Sequence, residues 1–512
     1  MEMTLPLLGA AVLAAFLLFF LVKNNHCCSS PQAEKRLQLP PGPWRLPLVG
    51  SLHHVLLSRH SDLPHRALRE LAGRYGALML LRFGAVPTLV VSSAEAAREV
   101  LKTHDACFAS RYLTPTLAVF TRGGRDIMFS PYGDLWRQLR RICVLELFSA
   151  RRVQSLRHVH EDEARRLVRA VADECAMGSG GGAVVPIGDM ISRMVNDSVV
   201  RSAIGGRCAR RDEFLRELEV IVRLIGGFNL ADLYPSSSLA RWLSRALRET
   251  ERCNRSVRAI IDDIIRERAA GRDDGEDDLL GVLLMLQKNG GVQCPLTTDM
   301  IATVIMEIFS AGSETASTTL EWAMSELVRS PRVMKKAQTE VRKLFEGQDK
   351  LTEDGMSKLS YLHLVIRETL RLHAPGPFLL PRECREQCNI MGYDIPKGTR
   401  VLVNAWAIAR DTRYWEDPEV FKPERFNSDL VDFKGNNFEY IPFGSGRRIC
   451  PGITLGLTSM EFVLASLLYH FDWELPGSKR SEEIDMSEAF GITVRRKSKL
   501  VLHATPRISY LH

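Results

Sequence analysis

The chain has 512 residues, 45% of them hydrophobic, which is enough to bury a large core, and a length prior alone allows two or three domains. Its formal net charge of +7 is modest for this length and forms no basic tract; that argues against nucleic acid as a partner and suits an anionic membrane surface and an acidic partner protein. The 11 cysteines are odd in number, scattered and without paired zinc spacing, which argues against a disulfide framework and points to a reducing compartment; Cys384 and Cys388 are close in sequence, with nothing beside them to complete a metal site.

Met3 to Val22 carries no charge and is rich in Leu, Ala and Phe, so it is long enough to span a bilayer as a helix. A cleaved signal peptide is the alternative reading, opposed by the length of the run and the lack of a basic segment before it. Glu2 precedes the run, and Lys23, Lys35 and Arg36 follow it, which places the body of the protein in the cytosol. Cys27 and Cys28 lie just beyond, where palmitoylation is an option. Leu39-Pro40-Pro41-Gly42-Pro43-Trp44 reads as a stiff, hydrogen-bond-poor spacer that orients the body on the membrane. The expected division is an anchor over 1–22, a hinge over 23–44 and a single catalytic body over 45–512.

Ala77 to Ser93 holds two β-rich runs around Gly-Ala-Val-Pro, a hairpin pattern. Trp136 and Arg140 stand four apart, so an indole N–H and a guanidinium share one helix face. Two sequons, at Asn196 and Asn254, should stay unmodified on the cytosolic side. Breaks at Met177 to Gly182 and Gly271 to Asp278 read as surface loops, while the rest of the chain is mostly helical in period. Thr298 to Ser330 is the longest helical segment, stopped by Pro331 and about 50 Å long at 1.5 Å per residue. Within it Ala311-Gly312-Ser313-Glu314-Thr315 interrupts an apolar face. Taken alone, these residues read as a helix-packing glycine beside a solvated Glu. Glu307, two turns earlier, reads as structural. Glu368 and Arg371 lie three apart on one helix face, where opposite charges meet. A second β region covers Ile390 to Ala405 with a turn at Pro396-Lys397-Gly398, and Pro423-Glu424-Arg425-Phe426 follows.

Phe443 to Gly452 reads FGSGRRICPG and presents Cys450 between arginines and a helix-starting Pro-Gly. A thiolate here suits the strongly donating axial ligand of haem enzymes that cleave the O–O bond. Gly444, Gly446 and Gly452 allow tight turns and close approach to a flat macrocycle, and Arg447 and Arg448 are cationic forks suited to a propionate. A helix after Pro451 points its amides at the sulfur and favours the anion.

This loop resembles the haem-binding loop of the cytochrome P-450 superfamily, the haem-thiolate monooxygenases. The proline hinge, WxxxR, AGSET, ExxR, PERF and the cysteine loop occur in the family's order, and the wording of PPGPWRLPLVGSLHH and PFGSGRRICPG most resembles plant microsomal A-type enzymes of specialised metabolism. The resemblance implies one mainly α fold with a smaller β region, and haem b between the long helix and the loop. It assigns Cys450 to the iron, and Thr315 with Glu314 to proton delivery. It places Trp136, Arg140, Ala311, Gly312, Arg382, Phe443, Gly446, Arg448 and Gly452 around the cofactor, and joins Glu368, Arg371 and Arg425 in a buried charged triad. Ala316 departs from the many relatives with a second hydroxyl there, which bears on the details of the relay. The pattern sets Val304, Ile308, Phe378, Leu379, Leu380, Phe490 and the stretch Thr116 to Phe120 against the substrate, an apolar lining for a lipophilic ligand.

The implied reaction is insertion of one oxygen atom of O2 into a C–H bond or alkene of a terpenoid, a sesquiterpene or diterpene, with an indolic or phenolic substrate as the alternative. Electrons from NADPH would arrive through a separate cytochrome P-450 reductase, with a cytochrome b-type donor as an option, docked behind Cys450 at the endoplasmic reticulum membrane. A haem-thiolate isomerase or dehydratase and a non-catalytic haem-binding protein are the other readings of the loop. The AGSET segment argues against the first, and consumption of NADPH with substrate would exclude the second.

Overall fold

The computed structural model describes residues 37–178, 182–269, 278–290, 293–348, 351–428 and 430–507. The anchor over 1–22, the start of the hinge, Cys27 and Cys28, and most of the two glycine-rich breaks lie outside the described residues.

Thr298–Arg329 is one helix of 32 residues. Its start is set by Thr297, whose hydroxyl accepts from the Met300 amide at 3.2 Å. Its end is set at Ser330, and Pro331 then opens the next helix, Pro331–Leu344. The helix is buried along nearly its whole length, from Met300 to Val328, so apolar residues surround it instead of forming one stripe. It packs on Ile187–Ile204 most extensively, then on Arg245–Ala269, Ile453–His470 and Ser360–Leu372. Ile453–His470 is itself apolar and long enough to cross a membrane, yet it supplies Phe462, Leu464 and Leu468 to the protein core.

The smaller β region is a five-stranded sheet beside these helices. The expected hairpin pairs Leu78–Phe83 with Val86–Val91 in antiparallel register. Its turn is tighter than Gly-Ala-Val-Pro, because Gly84 takes a φ of 59° and Val86 and Pro87 already belong to the second strand. The second β region divides in two: Cys388–Ile390 and Tyr393–Ile395 form their own hairpin, whereas Arg400–Val403 joins the large sheet parallel to Val86–Val91. Arg382–Glu383 and Ser110–Arg111 complete that sheet and bring two arginines side by side, Arg111 opposite Arg382.

Two expectations change here. The described part of the hinge is not a free spacer: the Pro41 carbonyl accepts from the Leu80 amide at 2.9 Å, which adds the segment to the edge of the sheet. Cys384 and Cys388 do have a companion, Cys107, whose Sγ lies 3.9 Å from that of Cys384 across 277 positions of sequence. Both sequon asparagines are engaged inside the fold, Asn196 on Ser313 and Asn254 on the Val119 carbonyl.

Candidate active site around Cys450

The loop that carries Cys450 is closed by its own backbone, with the Cys450 amide donating to the Phe443 carbonyl at 3.0 Å. Gly446 sits at a φ of 70°, and a β-carbon there would meet the Leu101 carbonyl oxygen at 2.1 Å; only glycine fits. That makes Gly446 a turn residue pressed against the neighbouring helical turn rather than a cofactor contact, and it does not border the cavity described below. Gly452 has open space where a side chain would stand, on the cavity side. Burial pushes the Cys450 thiol up, while the Gly452 amide and Arg140 draw it down. The surface that Cys450 exposes faces the cavity, not bulk solvent. A cation at the sulfur would settle the balance as thiolate.

Across the cavity, of about 350 Å³, lie Ala311, Gly312, Glu314 and Thr315 of the long helix. Thr315 is exposed in the middle of an otherwise buried helix because this face opens on the cavity. Its hydroxyl donates to the Ala311 carbonyl at 2.7 Å, which leaves the oxygen lone pairs free to accept. Glu314 points to a hairpin that pairs Glu488–Phe490 with Val494–Arg496: it accepts from Thr493 Oγ1 at 2.7 Å and pairs with Arg495 at 3.2 Å. Arg495 lies within 3.7 Å of the exposed Glu219, so a polar path leads from the cavity wall to the surface. Glu307 is a clamp, accepting the Ile127 and Met128 amides at 2.9 and 3.2 Å.

Four guanidinium groups, Arg111, Arg140, Arg382 and Arg448, border the same cavity. Burial lowers Arg382 to about 10 and Arg448 to about 9, and for Arg448 the charge of Arg382 adds to the effect. Arg111 is pushed well down by burial, then by Arg382 and Arg448. Among the described residues, Asp105 opposes this charge, pairing with Arg382 at 3.3 Å, and burial raises the nearby Asp126 to about 7. A buried cluster so short of anions is complementary to a dianionic ligand, and with the thiol opposite an accessible helix face it fits haem b. Arg111 was not among the residues singled out from the sequence, where a lone SRY offers no signal; pairing of Ser110–Arg111 with Arg382–Glu383 is what brings it here. Trp136 borders the cavity beside these arginines. Its indole N–H already donates to the Ile127 carbonyl at 3.1 Å, and its ring lies 4.2 Å from the Arg448 guanidinium.

Away from the cavity, Glu368 and Arg371 have fully buried side chains joined by bonds of 2.8 and 2.9 Å, and Arg425 donates to Glu368 at 3.0 Å. Arg371 also holds the Ala409 and Pro418 carbonyls at 2.7 and 2.8 Å. The three charges thus organise the loop that leads to the cysteine segment.

Of the residues expected against a substrate, Ile308, Leu379, Leu380 and Phe120 border the cavity. Leu379 does so from a strained backbone, at a φ of 53°. Val304, Phe378 and Phe490 do not. Val304 is sealed in the core one turn before the cavity begins. Phe378 and Phe490 pack on each other at 5.9 Å and on His65, because aromatic burial against the sheet draws them away. Thr116 is likewise structural, donating to Asp232 at 2.6 Å. Their places are taken by Leu218, Ile221, Val222, Ile225 and Ile492, which sequence reading did not single out.

The family model Cytochrome P450 matches residues 40–502. A dolabradiene monooxygenase of Zea mays is 49% identical over 484 residues, 93% of this chain and 94% of that one. An ent-isokaurene C2/C3-hydroxylase of Oryza sativa subsp. japonica is 50% identical, over 93% and 94%. The fold aligns with a zebrafish cytochrome P450 solved with abiraterone at a TM-score of 0.73 and 27% identity, covering 87% of this chain and 100% of that one. The chain therefore belongs to the cytochrome P450 family and is a haem-thiolate monooxygenase of specialised metabolites, using haem b, O2 and NADPH-derived electrons passed on by a reductase.

Proposed function

We propose that this monooxygenase hydroxylates or epoxidises a sesquiterpene or diterpene hydrocarbon or its alcohol. The observation that carries the reading is the cavity wall, where Leu218, Ile221, Val222, Ile225, Ile308 and Ile492 are aliphatic. The carboxylates in that wall are already engaged, Glu307 by two amides and Glu314 by Thr493 and Arg495. A substrate is then held by shape and apolar burial. The activities named for the maize and rice relatives agree with this class.

Haem, held by Cys450 with Arg111, Arg140, Arg382 and Arg448 toward its propionates, supplies the dioxygen chemistry when bound. Trp136 stiffens Arg448 by lying against it. Thr315 offers a hydroxyl oxygen over the cavity, and Glu314, held by Thr493 and Arg495, passes protons toward it from solvent water. The aliphatic wall excludes water and orients the carbon to be attacked.

The apolar segment 1–22 anchors the protein in the endoplasmic reticulum membrane with the body in the cytosol. Exposed Leu46, Leu48, Leu57, Leu239, Trp242 and Leu243 support contact of the body with lipid. Exposed Arg137, Arg141 and Arg447 beside exposed Val144 and Leu145 form a groove behind the cysteine loop, suited to an acidic NADPH–cytochrome P-450 reductase.

The test is a reduced-CO difference spectrum, then titration and turnover with terpene hydrocarbons, indoles and phenols in the presence of reductase and NADPH. A terpenoid that displaces the axial water and gains one oxygen atom supports the reading. Turnover of an indole or phenol instead replaces it. Loss of the thiolate-type band in Cys450→Ser is the control for the ligand; its retention would remove Cys450 from that place.

A further inference from the structure

Cys107, Cys384 and Cys388 bring three sulfur atoms within 4.8 Å of one another. Cys384 Sγ stands 3.9 Å from that of Cys107 and 4.0 Å from that of Cys388. Zinc–sulfur bonds of about 2.3 Å in a tetrahedron put neighbouring sulfurs about 3.8 Å apart. Two edges of the cluster therefore already match a cysteine zinc site and the third lies within 4.8 Å, without closing to the bonding distance of a disulfide.

The sulfurs are also fixed from behind. The Arg385 amide donates to the Cys107 carbonyl at 2.9 Å, the Cys384 amide donates to Thr399 at 2.9 Å, and the Cys384 carbonyl accepts from Gly398 at 2.7 Å. Cys388 is paired with Ile395 in its hairpin. Three separate stretches of backbone thus converge through main-chain bonds, so most of the ordering that a metal site demands precedes any ion. Cys107 and Cys384 are buried, and half-buried Cys388 gives an ion a way in from solvent. The Cys107 and Cys384 thiols both donate to a single carbonyl, that of Glu386, at 3.2 and 2.9 Å.

We propose that Cys107, Cys384 and Cys388 bind one zinc ion, with a solvent oxygen on the Cys388 side as the fourth ligand. Each thiol gives up its proton to solvent as its zinc–sulfur bond forms, so binding releases three protons and involves no change of oxidation state. The ion would clamp two segments that carry the cation cluster: Cys107 lies two residues after Asp105, Cys384 lies two residues after Arg382, and Asp105 and Arg382 pair at 3.3 Å.

The experiment uses the full-length haem-loaded protein, so that Cys450 is occupied, kept under a thiol-free reductant. It is equilibrated with zinc, passed through a mild chelator and assayed for zinc per haem, beside Cys107→Ser and Cys388→Ser. One zinc per haem in the parent, lost in both variants while their reduced-CO spectra stay intact, supports the site. X-ray absorption at the zinc edge should then show three sulfurs at about 2.3 Å. A parent that holds no more zinc than Cys388→Ser, or a zinc shell of nitrogen and oxygen alone, overturns it. Should Cys107→Ser fail to fold, the half-buried Cys388→Ser with the edge spectrum still decides.

Discussion

The Arg382 guanidinium donates to the Ser445 carbonyl at 3.0 Å, fastening a strand of the sheet to the loop that presents Cys450 five residues later. Its other branch meets Asp105 at 3.3 Å. Arg382→Leu should loosen that loop and thin the cation cluster. The rate of haem transfer to an excess of a haem-free acceptor protein should rise about tenfold, the effect of one lost charge-assisted bond. An unchanged rate would remove Arg382 from haem retention.

Glu368→Ala leaves Arg371 and Arg425 buried without their carboxylate. A loss of about 3–5 kcal/mol is expected for breaking such a network. It is read as a lower yield of haem-containing protein and a lower thermal midpoint. Glu424→Ala, whose side chain meets Arg332 and Lys336 near the surface, should cost about 1 kcal/mol or less.

Thr315→Ala and Glu314→Gln test the proposed proton path. Both should lower product formed per NADPH consumed by about tenfold or more, with the balance appearing as peroxide. Glu314→Gln keeps an acceptor for Thr493, so its fold should be preserved. Coupling that stays unchanged in Glu314→Gln would mean that the Arg495 branch is structural.

Burial pushes Asp126 up from 3.8 to about 7, and its neighbour Glu307 also well upward. In this window the native state holds a proton that the unfolded chain has released, so stability falls as pH rises. The contribution is fully present below about pH 4 and is lost as pH passes 7. Asp126→Asn keeps an oxygen for the Phe129 and Ser130 amides while removing the titration. Denaturant melts between about pH 4 and 8 should therefore show a flatter profile than the parent. Equal slopes would mean that Asp126 is ionised in the fold throughout.

Ile308→Phe narrows the cavity and should shift regiochemistry or lower turnover by about tenfold, whereas Phe378→Leu, behind the cavity wall, should leave the product pattern unchanged and cost stability alone. The product profile of each variant with the parent's substrate checks both. A changed profile in Phe378→Leu would mean that the aromatic cluster opens on the substrate in solution.

The cysteine loop, the long helix and the first hairpin were legible in the sequence because each is set by neighbours in the chain. A threonine cap and a proline bound the helix, and a glycine closes the hairpin turn. The loop is held by its own Cys450-to-Phe443 bond and by a glycine turn that admits no side chain. The same locality explains why Thr315 and Glu314 could be placed on one helix, although only the fold shows Glu314 turned to Thr493 and Arg495.

Tertiary structure alone decided which side chains meet the cavity and which charges gather there. Helical period puts Val304 and Ile308 on one face, but the boundary between sealed core and open cavity falls between them. Phe378 and Phe490 are apolar enough for either place, and packing against His65 drew Phe378 into the core and the half-buried Phe490 against it. Arg111 joins Arg382 because their strands pair, and Cys107 joins Cys384 across 277 positions. Such meetings depend on long-range closure, whose free energy belongs to the whole packed core, so no local pattern of residues reports them.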